Sequence, residues 1–324
     1  MAALLEIEGL HVLFRTDRGL VRAVNGASLR VGEGDTVGLV GESGCGKSVT
    51  ASAVLGLVPS PPGELAAGRI LFDGRDLARA SREELRRVRG AKIGMVFQDP
   101  LSALNPVLTI EAQLTETLHA HERLSRADAR ARALEALRDV GLPDPAQHLK
   151  AYPHQLSGGM RQRVMIAMAI VLRPALLIAD EPTTALDVTV QAQLIALLRE
   201  LKRRHRMAML LISHDLGVVV QLAERIAVMY AGHVVEEAPT VELFRRPRHP
   251  YTRGLLEAVP GRGTPARGIP GAVPDAAALP GGCPFHPRCP RAQTRCREVF
   301  PDDTGSLGRR FACHNPEPEP PDGA

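Results

Sequence analysis

The sequence predicts an α/β fold with an antiparallel β-region before it, a helical insertion within it and a small irregular extension after it. Three observations carry that expectation. The apolar run Thr36-Val37-Gly38-Leu39-Val40 leads straight into Gly41-Glu42-Ser43-Gly44-Cys45-Gly46-Lys47-Ser48, the pattern of a strand, a glycine-rich loop and a helix. A second buried-strand run, Ala175-Leu176-Leu177-Ile178-Ala179, ends in the carboxylates Asp180 and Glu181. Beyond residue 244 the composition turns Pro- and Gly-rich and takes in four of the five cysteines.

At 324 residues and 44% hydrophobic, the chain can bury one large core and carry an appendage. Its net charge is only +4, with acids and bases interspersed. The Arg-rich patches Arg82 to Arg89 and Lys202 to Arg206 therefore read as solvated helix faces, and no nucleic-acid partner is expected. Met1-Ala2-Ala3-Leu4-Leu5-Glu6 lacks the basic region and apolar core of a secretory signal. The longest near-continuous apolar stretch, Val164 to Leu172, falls short of the roughly 20 residues that cross a bilayer. A soluble, cytoplasmic chain able to sit on membrane partners is the expectation.

Residues 4 to 40 alternate in short runs such as Leu5-Glu6-Ile7-Glu8 and Leu10-His11-Val12-Leu13-Phe14, broken by Thr16-Asp17-Arg18-Gly19 and Gly32-Glu33-Gly34-Asp35. These are strand and turn signals, hence an antiparallel sheet ahead of the loop. Phe14 offers either a ring for an adenine base or ordinary strand packing. Ser48 to Val58 predicts a helix ended by the Pro59 to Pro62 cluster. Gly68 to Phe72 and Lys92 to Phe97 predict strands, with the basic helix Ser81 to Arg89 between them. From Gln98-Asp99-Pro100 to Arg173 the pattern is helical. There Ser125 is an N-cap, Leu134, Leu137 and Val140 line one face, and Gly141 with Pro143 stops the helix. Tyr152-Pro153-His154-Gln155-Leu156-Ser157-Gly158-Gly159-Met160 opens a helix to Leu172. Ala185-Leu186-Asp187 leads into a helix through Gln191 to Arg204, and the strand Met207 to Ser213 delivers His214-Asp215.

A glycine-rich loop can point several backbone N–H groups into one concavity, and the helix beginning near Lys47 adds the positive end of its dipole. Phosphate oxygens suit such a nest. Lys47 would reach β- and γ-phosphates, Ser48 would ligate Mg²⁺, and the glycines keep side chains out of the space phosphates need. Ser157 with Gly158 and Gly159 makes a second anion-binding helix end, although a plain cap is the usual meaning of that triplet. Asp180 can hold a Mg²⁺ shell and Glu181 can orient or deprotonate an attacking water. His214 can contact the γ-phosphate or its water, or be structural. Cys45 lies near a helix N-terminus, where a thiol can be reactive, or it simply fills the loop. Maleimide labelling that MgATP blocks is the signature of the reactive case.

The ordered set resembles the nucleotide-binding subunits of ABC transporters over residues 4 to 244. Gly41 to Ser48 matches Walker A, and Gln98 the Q-loop glutamine. Leu156 to Met160 matches the signature, with Met160 where glutamine is more usual. Leu176 to Asp180 matches Walker B, Glu181 the catalytic glutamate, Asp187 the D-loop and His214 the switch histidine. The resemblance implies an ABC-type P-loop NTPase over residues 1 to 244: a RecA-like core, an N-terminal antiparallel β-subdomain and a helical subdomain at about 98 to 173. It implies ATP held by Gly41, Glu42, Ser43, Gly44, Cys45, Gly46, Lys47, Ser48 and Val49, with Mg²⁺ at Ser48, Gln98 and Asp180. Glu181, His214 and Gln98 would then be catalytic. It further implies a head-to-tail pair of ATPase domains, in which Ser157, Gly158, Gly159 and Met160 serve the partner's nucleotide.

His249-Pro250-Tyr251-Thr252-Arg253-Gly254-Leu255-Leu256 and Pro284-Phe285-His286-Pro287-Arg288-Cys289-Pro290 resemble the tail of oligopeptide, dipeptide and nickel importer ATPase subunits. That implies an ATPase powering peptide import, with nickel or glutathione import and a soluble non-transport ATPase as alternatives. It would lie at the cytoplasmic face of the inner membrane. Its partners would be a second, non-identical ATPase, two transmembrane permease subunits and an extracytoplasmic peptide-binding protein. Cys283, Cys289, Cys296 and Cys313, spaced C-x5-C-x6-C-x16-C, argue for soft-metal ligation in a chain not expected to keep disulfides. The choices are a [4Fe–4S] cluster, a tetrahedral Zn²⁺ held by the four thiolates, where His286 or His314 could replace a cysteine, or free thiols. Such importer ATPases are known with iron–sulfur clusters, and [4Fe–4S] is the expectation. Glu317 to Asp322 reads as an acidic disordered end.

Overall fold

The structure is a computed structural model that describes residues 3–17, 19–184, 186–259, 268–306 and 308–318. Met1, Ala2, Arg18, Ala185 and the run Glu319 to Asp322 lie outside the described residues. The chain forms two compact units, one from residues 32–35 and 80–211, the other from 3–31, 36–79 and 212–318.

The second unit holds the expected antiparallel sheet, in the order Gly19–Gly32, Ala3–Thr16, Gly63–Phe72 and Arg75–Asp76. Ala3–Thr16 runs antiparallel to Gly63–Phe72, with Leu5 opposite Phe72 and Ile7 opposite Ile70. Leu5, Ile7, Leu10 and Val12 are all buried, so the alternation in the sequence marks the face that packs inward. The wholly buried strand Thr36–Val40 pairs in parallel with Arg225–Tyr230, Val37 facing Arg225 and Val40 facing Val228. Arg225–Tyr230 continues antiparallel to His233–Pro239. The helix expected to reach Val58 covers Lys47–Val54. Gly56 adopts φ 59° and donates its N–H to Ala53 O at 3.0 Å, and Leu57 N–H reaches Ser52 O at 2.8 Å, which satisfies the last carbonyls and stops the helix ahead of the prolines.

The extension beyond residue 244 is more regular than its composition suggests. It supplies the helix Pro250–Glu257 and a hairpin, Asp303–Ser306 with Arg309–Ala312, whose second strand pairs with His233–Pro239. Charge holds that edge together: buried Glu237 bonds Arg225 Nη1 at 2.5 Å and Arg310 Nε at 2.9 Å. Glu317 corrects the reading of a disordered end that begins there. It is 5% exposed, its carboxylate accepts from Arg253 Nη1 at 2.8 Å and its N–H donates to Arg248 O at 2.8 Å.

In the first unit the buried strands Ile93–Val96 and Leu176–Asp180 run parallel, Ile93 facing Leu176 and Val96 facing Ala179. Between them in sequence lies the helical insertion, chiefly Ile110–His119, Arg126–Asp139 and Gly158–Ile170. Ser125 caps Arg126–Asp139 through the Asp128 N–H, as expected. The buried stripe of that helix is richer in alanine than expected: Ala129, Ala133 and Ala136 join Leu137, while Leu134 is only half-buried. Small side chains there let neighbouring helices approach. The helix opened by Ser157 ends at Ile170 rather than Leu172, where Arg173 turns left-handed at φ 52°.

In the second unit His233 stacks on Phe300, ring centroids 4.1 Å apart. Burial, with the charge of His11 adding to it, lowers its pKa from 6.5 to about 4. The unfolded chain takes up this proton as pH falls through 6.5 and the folded one only near 4, so the stability is complete above 6.5 and drains between those values. His233→Phe, which keeps the stack, is expected to remove up to about 2 kcal/mol of the stability lost between pH 7 and pH 5. Denaturant titrations of both proteins at the two pH values measure this.

Candidate functional site

The phosphate-type loop belongs to the second unit. The strand Thr36–Val40 delivers Gly41, and Gly46 at φ 108° is the N-cap of Lys47–Val54. A Cβ at Gly41 would lie 2.2 Å from Met229 O, and one at Gly46 would lie 2.4 Å from Ala23 O. Only glycine fits against backbone at both places. The loop is tied down further by Gly232 N–H to Cys45 O at 2.9 Å. Lys47, 5% exposed, folds back across the loop and donates from Nζ to Gly41 O at 2.8 Å and Glu42 O at 3.1 Å. Ser43, Gly44 and Ser48 are exposed and Val49 is half-buried. A fixed ammonium beside a helix N-terminus is chemistry suited to a polyanion.

Cys45 is 1% exposed, its Sγ 3.7 Å from Lys47 Nζ and 2.8 Å from the place a Gly41 Cβ would take. Burial pushes the thiol pKa up despite the lysine beside it. The reactive-thiol reading is corrected: Cys45 fills the floor of the loop. Phe14 stands opposite Gly63 in the antiparallel sheet, with its ring edge against that glycine. His214 is exposed in a short turn that also belongs to this unit. On one side Asp215 N–H donates to Ser213 Oγ at 3.0 Å, and on the other Asp215 caps Leu216–Leu222 through the Gly217 N–H.

The first unit holds the other residues singled out by sequence. Asp180 closes the strand Leu176–Asp180 and is 6% exposed. Glu181 follows in the left-handed region at φ 47°, uncommon for a side chain of its size. Its Oε2 accepts from Thr184 Oγ1 at 2.7 Å, and Gln162 Nε2 fixes the next carbonyl, that of Pro182, at 2.8 Å. Ser157 caps Gly158–Ile170 through the Met160 N–H at 3.3 Å. Asp187 caps Val188–His205 through the Val190 N–H at 2.9 Å, so that helix starts earlier than expected. These two helix starts are neighbours: a Cβ at Gly159 would touch Val190 Cγ1 at 3.5 Å. Gln98 is exposed just after Ile93–Val96.

The four cysteines of the extension line one small cavity, together with His249, His286, His314 and Phe285. Cys283 and Cys296 are buried, Cys289 and Cys313 half-buried. Burial first, and then the neighbouring thiols, push Cys313 up to about 12 and Cys283 up to about 11. His286 Nδ1 lies 2.9 Å from Cys283 O, and His314 Nε2 lies 2.9 Å from Val299 O. His249, 1% exposed, accepts the Tyr251 N–H at Nδ1, while its Nε2 is buried with no hydrogen-bond partner in the structure. Among the described residues no group of three or more His, Cys, Asp or Glu is arranged to hold a metal ion.

Sequence reasoning missed that the extension touches the loop. Arg288 pairs with Glu42, and the Tyr251 hydroxyl accepts the Glu42 N–H at 2.9 Å. Their separations of 246 and 209 residues leave no local signal to find.

Residues 24–184 match the ABC transporter family, and residues 235–296 match the family described as the oligopeptide/dipeptide transporter C-terminal region. The chain is 50% identical over 307 residues to the dipeptide transport ATP-binding protein DppD of Bacillus subtilis (strain 168), covering 94% of this chain and 92% of that one. It belongs to the ATP-binding subunits of ABC transporters. As an ABC subunit it is an ATPase with the α/β cassette fold of that family. It is also 48% identical over 318 residues to DppD of Escherichia coli (strain K12), which covers 97% of each chain. Among solved structures this ABC subunit is similar to the dimeric post-hydrolysis state of the ATP-binding cassette MJ0796 bound to ADP and Pi. There the TM-score is 0.65 at 28% identity, covering 73% of this chain and 98% of that one. For cbiO1 of Clostridium perfringens, part of the ABC transporter complex cbiONQ, the TM-score is 0.64 at 27% identity, covering 75% and 91%.

The burial of Cys45 gives a direct test. In native, nucleotide-free ABC subunit, Cys45 is expected to resist maleimide and to become labelled only on denaturation, read by mass spectrometry of its peptide. Labelling at the rate of an exposed thiol contradicts the packing described.

Proposed function

We propose that this chain is the ATP-hydrolysing subunit of an importer that moves peptides across the cytoplasmic membrane. The observation that carries the reading is the joint match: an ABC core followed by a peptide-transporter tail, at 50% identity to a dipeptide transport ATP-binding protein over 94% of the chain. No described helix is long and apolar enough to cross a membrane. The chain acts from the cytoplasmic face on two permease subunits, with an extracytoplasmic peptide-binding protein delivering substrate and a second, non-identical ATPase completing the pair.

In this reading ATP is bound by Gly41 to Ser48 with Val49. Lys47 already faces the loop, and its ammonium exchanges loop carbonyls for β- and γ-phosphate oxygens. Phe14 is the aromatic offered to the adenine. Ser48, Asp180 and Gln98 each carry an oxygen of the kind Mg²⁺ takes, and by the family resemblance these residues would hold the ion, which would neutralise charge developing on the phosphates. Glu181 is the base that orients water, and His214 supports it. The left-handed backbone at Glu181 costs on the order of 1–3 kcal/mol and is retained where surrounding bonds over-determine it, as Thr184 does for this carboxylate and Gln162 for the following carbonyl. Ser157 to Met160 and Asp187 face the partner ATPase, whose own signature closes over this chain's nucleotide.

The extension is a small domain in which Cys283, Cys289, Cys296 and Cys313 hold a [4Fe–4S] cluster. Two features support that fit: all four cysteines line one cavity, and His249, which also lines it, has a buried Nε2, a donor because Nδ1 accepts, without a hydrogen-bond partner. Bound there, the cluster supplies cross-links between segments that share little apolar core.

Glu181→Gln is expected to keep MgATP affinity within about threefold and to lower turnover by about 100-fold or more, measured by nucleotide titration and phosphate release. Wild-type turnover in that variant contradicts the assignment of the base. Protein purified without oxygen is expected to carry about four irons and four sulfides per chain with broad visible absorption. Zinc without iron contradicts the cluster.

A further inference from the structure

The extension grips one residue of the loop at both its side chain and its backbone. Arg288 lies between His286 and Cys289, both of which line the cysteine cavity. Its Nη1 is 2.7 Å from Glu42 Oε2 and its Nη2 is 3.0 Å from Glu42 Oε1, a two-bonded pair. The arginine side chain is 4% exposed, against 29% for the glutamate. Its remaining capacity is spent on the Tyr230 hydroxyl at 3.3 Å, Pro270 O at 2.9 Å and Ile269 O at 3.3 Å. A lysine, with one nitrogen, cannot reproduce that set. Tyr251, two residues past cavity-lining His249, accepts the Glu42 N–H. The rings of Tyr230, Tyr251 and Phe285 pack with centroids 4.5 to 5.3 Å apart and are at most 2% exposed, so both grips rest on a rigid base. The Glu42 carbonyl in turn receives Lys47 Nζ.

We propose that the cysteine-bearing extension positions the phosphate loop: Arg288 and Tyr251 fix Glu42, Glu42 helps place Lys47, and the packing around the cysteine cavity thereby sets the affinity for nucleotide. This rests on residues 41 to 48 being the ATP loop and is independent of what the cysteines bind. Arg288 and Tyr251 are positioning residues that touch no reacting atom. Because coupling between two sites is reciprocal, bound nucleotide must also steady the cysteine segment.

The test uses the full chain and MgATP. Arg288→Ala is expected to weaken MgATP binding about tenfold, raising KM with kcat within about threefold, and Arg288→Lys to recover only part of the loss. Glu42→Ala combined with Arg288→Ala is expected to be no worse than the more impaired single variant, since the pair acts as one unit. Hydrogen exchange across residues 283–296 is expected to slow severalfold on adding MgATP to wild type and not to Arg288→Ala. Should that variant fail to fold, Glu42→Gln and Tyr251→Phe carry the same measurements with little change of shape. Affinity within twofold of wild type in the folded variants, or unchanged exchange in wild type, overturns the proposal. Lys47→Ala separates the two readings: retained ATP binding there shows that the loop assignment has failed, whereas lost binding there with unaffected Arg288 variants overturns the positioning role alone.

Discussion

The close approach of the loop backbone to its neighbours is the constraint on which the site depends. Gly41 lies against the carbonyl of Met229 and Gly46 against that of Ala23, and neither place has room for a methyl group. Contact on two sides leaves the chain one path between the buried strand Thr36–Val40 and the helix Lys47–Val54. The lysine at the start of that helix must then fold back over the loop, where two carbonyls hold its ammonium. Cys45 is small because the space under the loop is small, and the same burial shields its thiol from solvent.

A different physical device attaches the extension. It joins its unit largely through carboxylates bound by arginines or backbone N–H groups. Glu237 meets Arg310 and Glu42 meets Arg288, while Glu317 and Arg253 pair within the extension itself. Glu236 accepts the N–H groups of Arg248 and His249 at 2.7 and 2.8 Å. Burial raises the Glu236 pKa while those bonds pull it down. Replacing one member of a buried pair leaves an uncompensated charge at a cost of about 3–5 kcal/mol, whereas the intact pair adds little net stability. Such contacts therefore specify where the extension sits more than they hold it there.

Local signals made the core legible. Alternation marked the inward face of Ala3–Thr16, Ser125 and Ser157 acted as caps, and apolar runs ending in Asp180 and Ser213 became buried strands. Helix ends were read less well, because the stop at Gly56 depends on a left-handed residue that the later prolines obscure. The alanine stripe on Arg126–Asp139 escaped notice because alanine is weakly hydrophobic, yet it packs closely. Composition misled at Glu317, where acid and proline look like a solvated tail until Arg253 is placed beside them. Long-range pairs such as Arg288 with Glu42 leave no periodicity and become visible only in three dimensions.

The spacing of the cysteines follows from how little else closes the extension. Among the described residues beyond 282, Phe285 is the one fully buried large ring, and Cys283, Cys296 and Ala312 complete a short apolar inventory. A segment with so small a core needs staples, and ligands bunched in one turn would staple only that turn. Cys283 and Cys289 flank the Arg288 turn, Cys296 lies on Arg295–Glu298, and Cys313 follows the strand Arg309–Ala312. Drawing those four places to one cavity links the turn that bears on the phosphate loop with the hairpin at the sheet edge. Anything that tightens or loosens the cavity therefore reaches Glu42 through Arg288, one residue from a cavity-lining thiol, with no large rearrangement required.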